Sequence, residues 1–363
     1  MRLLRAAETW VSFVKTLPES QKIKQKRTTL YDVAGLAGVS AITVSRALRN
    51  PETVSAKLRN SIDTAISVLG YVPNLAASRL ASARSHSIGV IVPTLYNVIF
   101  ADYLQAIHEV LLPAQFQPLV VNSRYSAEAE EVAIRTLLGQ RVEAIIIVGT
   151  EHTPAARHLL GKAHIPVVET FARSADPIGM NIGFKLDQAG IDATRYLIEL
   201  GHKEIGFLVG AIDERASHRL DGYRLAMKEA GLDPVRHVVT IPELNSVGLG
   251  VALVEEVARR GTVPSALFCI DDNVALGALH ALRSRGLSVP GDVSVLGFHD
   301  LDFAACTMPA LSTVATNRYK TGALAAEMTV KALNSPGSKR RKWHDVGYSL
   351  VPRASTGPAR VRV

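Results

Sequence analysis

The run TLYDVAGLAGVSAITVSRAL, residues 29–48, gathers the side chains best suited to chemistry, and that chemistry is the recognition of nucleic acid. Arg46 can aim two parallel N–H donors at guanine O6 and N7. Ser40, Thr43 and Ser45 carry hydroxyls that can bond phosphate oxygens, and Ala41 and Ile42 offer apolar surface to thymine methyls. These groups act together only from the exposed face of a helix that enters a major groove.

The flanking residues supply that helix. Thr29 suits the N-cap of a first helix, in which Val33, Leu36 and Ala37 share a face. Gly38 suits a left-handed C-cap and Ser40 the N-cap of the next helix. Ala34 and Ala37 are small where two helices would touch. The second helix, Ala41 to Leu48, turns Val44 and Leu48 inward, leaves Ile42, Thr43 and Arg46 on other faces, and is broken by Asn50-Pro51. Ser55 opens a third, whose stripe is Leu58, Ile62, Ala65, Ile66 and Leu69, and Gly70 ends it. This is the pattern of a helix-turn-helix. An ordinary buried helical hairpin would use the same caps and small residues, so charge has to decide.

The formal charge of +8 on 363 residues is concentrated at the front: residues 1–86 hold 13 Lys/Arg against 5 Asp/Glu, and residues 87–363 hold 28 of each. A cationic front on a neutral body suits a polyanionic partner. Residues 1–28 form a basic arm (Lys22, Lys24, Lys26, Arg27) without sustained periodicity, expected to be disordered, and the ordered pattern opens only at Thr28-Thr29. Glu8 and Lys15 interrupt the apolar N-terminus, and no small-residue cleavage site follows, which argues against a secretory signal. No stretch approaches the ~20 apolar residues of a membrane helix. Cys269 and Cys306 make neither a disulfide framework nor a metal motif, so the expected location is the cytoplasm.

Residues 71–86 are small, basic and Ala-rich, with Asn74 as cap of one weak helix. From Ser87 onward, apolar runs of strand length (87–92, 118–122, 144–148, 166–170, 204–209, 266–270, 293–298) alternate with helix-length segments such as 100–112, 126–138, 188–200 and 272–285. Strands buried on both faces and separated by helices predict parallel α/β sheets, here two similar lobes in tandem. Ligands of such sheets bind beyond the strands' carboxyl ends, which points to a cleft between the lobes. Asp271-Asp272 sit just past the run 266–270, where Asp272 either caps a helix or faces a ligand.

Residues 29–48, continued by VSAKLRNSIDTAISVLGYVPNLAASRLAS (54–82), resemble the headpiece and hinge of the lactose-repressor family. LIELGHKEIGFLVG (197–210), SHRLDGYRLAMKEAGL (217–232), CIDDNVALGALHALRSRGLSVPGDVSVLGF (269–298), PALSTV (309–314) and LVPRAST (350–356) extend the resemblance over most of the chain. It implies an all-α helix-turn-helix headpiece (29–73), a hinge helix and linker (74–86), and a periplasmic-binding-protein-like core (87–363). The N-lobe is expected at about 87–187 and 315–342, the C-lobe at about 188–314 and 343–363. The implied DNA-facing set is Leu30, Tyr31, Ser40, Ala41, Ile42, Thr43, Ser45, Arg46 and Arg49, joined in the hinge by Asn74, Ala77 and Leu80. Leu80 matches the leucine that wedges into the minor groove; packing against its own domain is the alternative.

In the cleft, the resemblance assigns effector contacts to Arg219 and Asp272. Two departures are informative. Gly297-Phe298-His299-Asp300 stands where many relatives carry GFDD or GYDD, and Lys185 stands where many carry an acid. A cleft with Lys185, Arg219 and His299 favours a carboxylate or phosphate ligand, unless Lys185 is merely solvated. The GFH run and ITVSRALRNPETVS resemble the gluconate-repressor branch, so the implied function is repression of sugar-acid catabolism, with a homodimer released from operator DNA by a sugar acid. A neutral sugar or phosphosugar effector is an alternative. A solute-binding receptor shares the core architecture but would need a secretory signal and no headpiece. No nucleophile elbow, phosphate-binding loop, dinucleotide fingerprint or metal-protease motif occurs, so no enzymatic activity, cofactor or metal is expected.

Overall fold

The computed structural model describes residues 28–72, 84–335 and 343–360. The expectations for the basic arm up to residue 27 and for Asn74, Ala77 and Leu80 fall outside these residues. The chain divides into two compact units at Arg84/Ser85.

The first unit contains α1 (Leu30–Ala37), α2 (Ala41–Arg49) and α3 (Ala56–Leu69). Thr29 and Asp32 form a reciprocal capping box: the Thr29 backbone N–H donates to Asp32 Oδ2 at 2.7 Å, and Asp32 N–H to Thr29 Oγ1 at 3.4 Å. Gly38, at φ +68°, ends α1, and Val39 N–H returns to Ala34 O at 3.0 Å. That left-handed turn suits glycine and lets Ser40, only two residues later, cap α2. Val33, Ala34, Val44, Ala47, Ile62 and Ala65 form the core, and each buried Val or Ile contributes about 1.5–3 kcal/mol. Two expectations change. Leu36 is exposed, because Val33, Ala34 and Ala37 span the buried arc of α1 and Leu36 lies beyond its edge. Leu48 is exposed as well, since the inward pair of α2 is Val44 and Ala47, three residues apart.

The second unit holds two six-stranded sheets. Its elements in order are β1 (Ser87–Val92), α4 (Ala101–Leu111), β2 (Gln117–Asn122), α5 (Ala127–Gly139), β3 (Ala144–Val148), α6 (Pro154–Lys162), β4 (Val167–Ala172), β5 (Met180–Phe184), α7 (Leu186–Glu199), β6 (Ile205–Val209), α8 (Glu214–Glu229), β7 (Val238–Thr240), α9 (Val247–Arg259), β8 (Ala266–Cys269), α10 (Asp272–Ser284), β9 (Ser294–His299), β10 (Ser312–Thr316), α11 (Arg318–Asn334), β11 (Trp343–Asp345) and β12 (Tyr348–Val351). The sheet orders are β2-β1-β3-β4-β5-β11 and β7-β6-β8-β9-β10-β12. The first sheet is parallel throughout, and in the second only β12 runs antiparallel. Helices cover both faces, so β1, β3 and β8 are buried along their whole length.

The chain crosses between the lobes around Lys185, Asn317 and Val346-Gly347. The expected boundaries therefore shift. Residues 315–316 belong to the second lobe, because β10 pairs with β9 and β12. Residues 343–345 belong to the first, because β11 pairs with β5. No helix among the described residues is long and apolar enough to cross a membrane.

Candidate functional site

The headpiece presents one face of α2. Ile42, Arg46 and Arg49 recur at i, i+4 and i+7, opposite buried Val44 and Ala47, and all three are exposed. The Ser40 side chain accepts Thr43 N–H at 3.2 Å and shares a 2.9 Å hydrogen bond with Thr43 Oγ1, fixing the helix start. Arg49 folds back on Ser45, donating to its Oγ at 3.1 Å. Arg46 has no hydrogen bond or ion pair among the described residues, so its guanidinium fork is free to meet a base edge. Tyr31 and Ile42 are 77% and 71% exposed, large apolar areas that this small core leaves uncovered. Ala41, Thr43 and Ser45 are half-buried at the helix flank. Leu30 differs from the rest: it packs against the headpiece core.

The second unit holds a cavity of about 620 Å³ of empty space, counted with its solvent-open mouth, between the lobes. Asn97, Tyr125, Phe171 and Phe184 line it from the first lobe, and Asp213, Arg215, Arg219, Glu243, Asn245, Asp271 and His299 from the second. Nearly all follow the carboxyl end of a parallel strand, where the backbone leaves the sheet and side chains can converge.

Two guanidiniums dominate its charge. Arg215 is paired: its Nε donates to Asp213 Oδ2 at 3.1 Å, and its plane faces the rings of Phe100 and Tyr125 at 5.8 Å each. Asp213 is half-buried, and its loss of water alone would raise its pKa, but the Arg215 charge holds its carboxyl below the usual range. Arg219 lies 4.6 Å over the Phe298 ring. Its Nε donates to Arg215 O at 3.2 Å and its Nη1 to His299 Nε2 at 3.3 Å. Among the described residues no carboxylate lies within ion-pairing distance of Arg219, and its Nη2 has no hydrogen-bond partner. Burial lowers its pKa to about 10, which leaves it cationic at neutral pH.

His299 is neutral. Burial, then the charges of Arg219, Arg318 and Arg215, hold its pKa well below the usual value. Arginine only donates, so His299 Nε2 must accept; the proton sits on Nδ1 and is donated to Thr316 Oγ1 at 3.0 Å.

Of the four cleft residues expected from sequence, Arg219 and His299 meet in the cavity, and two do not join them. Lys185 is exposed at the start of α7, while its neighbours Phe184 and Leu186 line the cavity. Asp272 is fully buried and points into its own lobe, accepting Leu301 N–H and the Thr313 hydroxyl at 2.7 Å each. Asp271 faces the cavity instead, accepting Val274 N–H at 2.9 Å as the cap of α10 and lying 3.4 Å from Asn97 Nδ2. Consecutive residues at a helix start point to different sides, so one position decides which carboxylate reaches a ligand. Arg215 was missed although it stands one helical turn before Arg219, the spacing that puts two side chains on one face. Asn97, Tyr125, Glu243 and Asn245 carry no sequence signal of their own, because they lie in separate loops that only the fold brings together. Glu151, Glu214 and His218 bring ligand-type atoms within 4.8 Å of one another, but both Glu214 oxygens already accept hydrogen bonds from Thr150 and Glu151.

Comparison with known proteins agrees with both units. Residues 29–74 match "Bacterial regulatory proteins, lacI family", and residues 194–356 match "Periplasmic binding protein-like domain". The chain is 39% identical over 333 residues to the HTH-type transcriptional regulator GntR of Pseudomonas aeruginosa, covering 91% of this chain and 96% of that protein. The crystal structure of a lacI-family transcriptional regulator from Silicibacter pomeroyi superposes with a TM-score of 0.84 at 30% identity, over 91% of this chain and 99% of that one. A lac repressor dimer bound to operator superposes with a TM-score of 0.78 at 28% identity, over 92% and 100%. The chain belongs to the lacI family of bacterial regulatory proteins and is a DNA-binding transcription regulator rather than an enzyme.

Proposed function

We propose that this regulator is a cytoplasmic homodimer that represses genes of sugar-acid catabolism and leaves its operator when a gluconate-like anion binds between the core lobes. The observation that carries the anionic ligand is Arg219, a buried guanidinium with no carboxylate partner among the described residues and with Nη2 open to the cavity. Asp213 and Asp271 act on this buried charge only from beyond ion-pairing distance, so a ligand carboxylate or phosphate in contact with it would lower the cost of its burial. Neutral His299 buttresses Arg219, and the amides and hydroxyl of Asn97, Asn245 and Tyr125 are suited to a polyol chain. Lys185 is assigned no part in binding. Similarity to GntR supports the sugar-acid class, and similarity to the operator-bound lac repressor dimer supports two headpieces on a pseudo-palindromic site. In the headpiece we assign base contacts to Arg46 and Ile42, and phosphate contacts to Ser40, Thr43 and Arg49.

Ligand acts by binding one closure state of the lobes better than the other, and only that difference can move the DNA-binding equilibrium. Calorimetric titration with gluconate, ribose and a phosphosugar tests the assignment. Gluconate binding that Arg219→Ala removes is the expected result. Tight ribose binding without gluconate binding overturns the charge argument, and phosphosugar binding alone would change the ligand class.

A further inference from the structure

The two lobes are joined at the cleft by a carboxylate that the ligand cavity does not use. Glu214 is the first residue of α8, in the second lobe. Its Oε2 accepts the backbone N–H of Thr150 at 2.9 Å and of Glu151 at 3.1 Å, and its Oε1 accepts the Thr150 hydroxyl. Thr150 and Glu151 follow β3, in the first lobe. Every hydrogen bond of Glu214 among the described residues therefore crosses from one lobe to the other.

The partner loop is shaped for this contact. Gly149 has φ +106°, which an L side chain rarely adopts, and a Cβ there would stand 3.2 Å from Glu214 Oε2. The acid also sits favourably in the first turn of α8, where the helix dipole stabilises negative charge. Asp213 fixes the helix start by capping Ala216 N–H at 2.8 Å. One turn further along, the same helix carries Arg219 into the cavity, so clasp and ligand cradle share one rigid element.

We propose that Glu214 is a positioning residue for the effector response: its clasp on Thr150-Glu151 holds the lobes in the closed arrangement and thereby sets how tightly effector binds. The effector part rests on the function proposed above; the effect on lobe closure does not. Hydrogen bonds from N–H and O–H groups to a carboxylate are stronger than neutral ones, and three of them bias a two-state closure when they form in one state only.

The test measures closure directly. Spin labels on Val132→Cys in α5 and Val235→Cys before β7, both 62% exposed, report the distance between the lobes once exposed Cys306 is replaced by serine. Glu214→Ala should lengthen or broaden the distance distribution. Glu214→Gln should do so less, since glutamine keeps an acceptor for the two amides and can donate to Thr150 Oγ1. Thr150→Val, which loses only the hydroxyl, is expected between wild type and Glu214→Ala. In parallel, Glu214→Ala should weaken gluconate binding about tenfold and, because the opened lobes favour the operator-bound state, should not weaken operator binding without gluconate. An unaltered distance distribution in Glu214→Ala overturns the proposal. If Glu214→Ala does not fold, unaltered distributions in both milder variants overturn it equally. A shifted distribution in a protein that does not bind gluconate supports the clasp and refutes only the proposed effector.

Discussion

Asp272 sits wholly inside the second lobe, where its carboxylate accepts one backbone N–H and one hydroxyl and touches the face of Gly297. Burial, with further repulsion from Asp271 and Asp300, raises its pKa from 3.8 to about 7, against the lowering effect of its two hydrogen bonds. The folded state thus holds a proton that the unfolded chain releases near pH 4. At about 1.4 kcal/mol per unit, ionising this group in the folded state costs on the order of 4 kcal/mol. None of that cost is felt below pH 4; it accumulates between pH 4 and 7 and is constant above. Asp272→Asn removes the ionisation while keeping both contacts, because the amide oxygen can accept Leu301 N–H and the amide nitrogen can donate to Thr313 Oγ1. The variant should match wild type near pH 4.5 and exceed it by a few kcal/mol at pH 8, a rise of several degrees in Tm. Urea unfolding at both pH values measures the first quantity and calorimetry with gluconate checks that ligand affinity is unchanged. A variant that loses ligand at unchanged stability would refute the interior placement and return Asp272 to the cleft. A variant less stable at pH 8 would refute the electrostatic argument.

Three further outcomes follow from the same contacts. Arg46→Ala should lose ~1–3 kcal/mol of discrimination at the operator while headpiece stability is unchanged, measured by binding to operator and unrelated DNA at one salt concentration; undiminished preference for the operator would remove Arg46 from base recognition. Gly297→Ala should destabilise the core by several kcal/mol in urea unfolding, because the added Cβ would lie 2.1 Å from Asp272 Oδ1. His299 should keep the neutral, Nδ1-protonated ring from pH 6 to 8, visible in nitrogen chemical shifts, and an imidazolium signal near pH 6 would contradict the Arg219–His299–Thr316 chain.

The headpiece was legible because its signals are local: Thr29, Gly38, Ser40 and Gly70 each act within a few residues, and the structure keeps all four as helix ends. Sidedness was less legible, since Leu36 and Leu48 are apolar yet lie just past the buried arc. In the core, the seven long apolar runs appear as strands, whereas β5, β7, β10, β11 and β12 gave no signal. β10 shows why: Ser312 and Thr313 look polar, but they are buried with their hydroxyls bonded to Thr356 and Asp272. The lobe boundaries moved for the same reason, because short strands at a crossover are assigned by their pairing and not by their composition. In the cleft, Arg219 was identified by resemblance and Asp272 was confused with Asp271. Which of two adjacent acids faces a cavity depends on tertiary neighbours such as Leu301 and Thr313, which lie far away in sequence.

Operator affinity measured against rising gluconate, for wild type and Arg219→Ala together, decides whether a sugar acid held by Arg219 controls DNA binding. Gluconate is expected to release wild-type protein from its operator, while Arg219→Ala binds the operator equally well and stays bound at gluconate concentrations that free the wild type. Operator binding by wild type that neither gluconate nor a phosphosugar alters, or release of Arg219→Ala at the wild-type concentration, would contradict it.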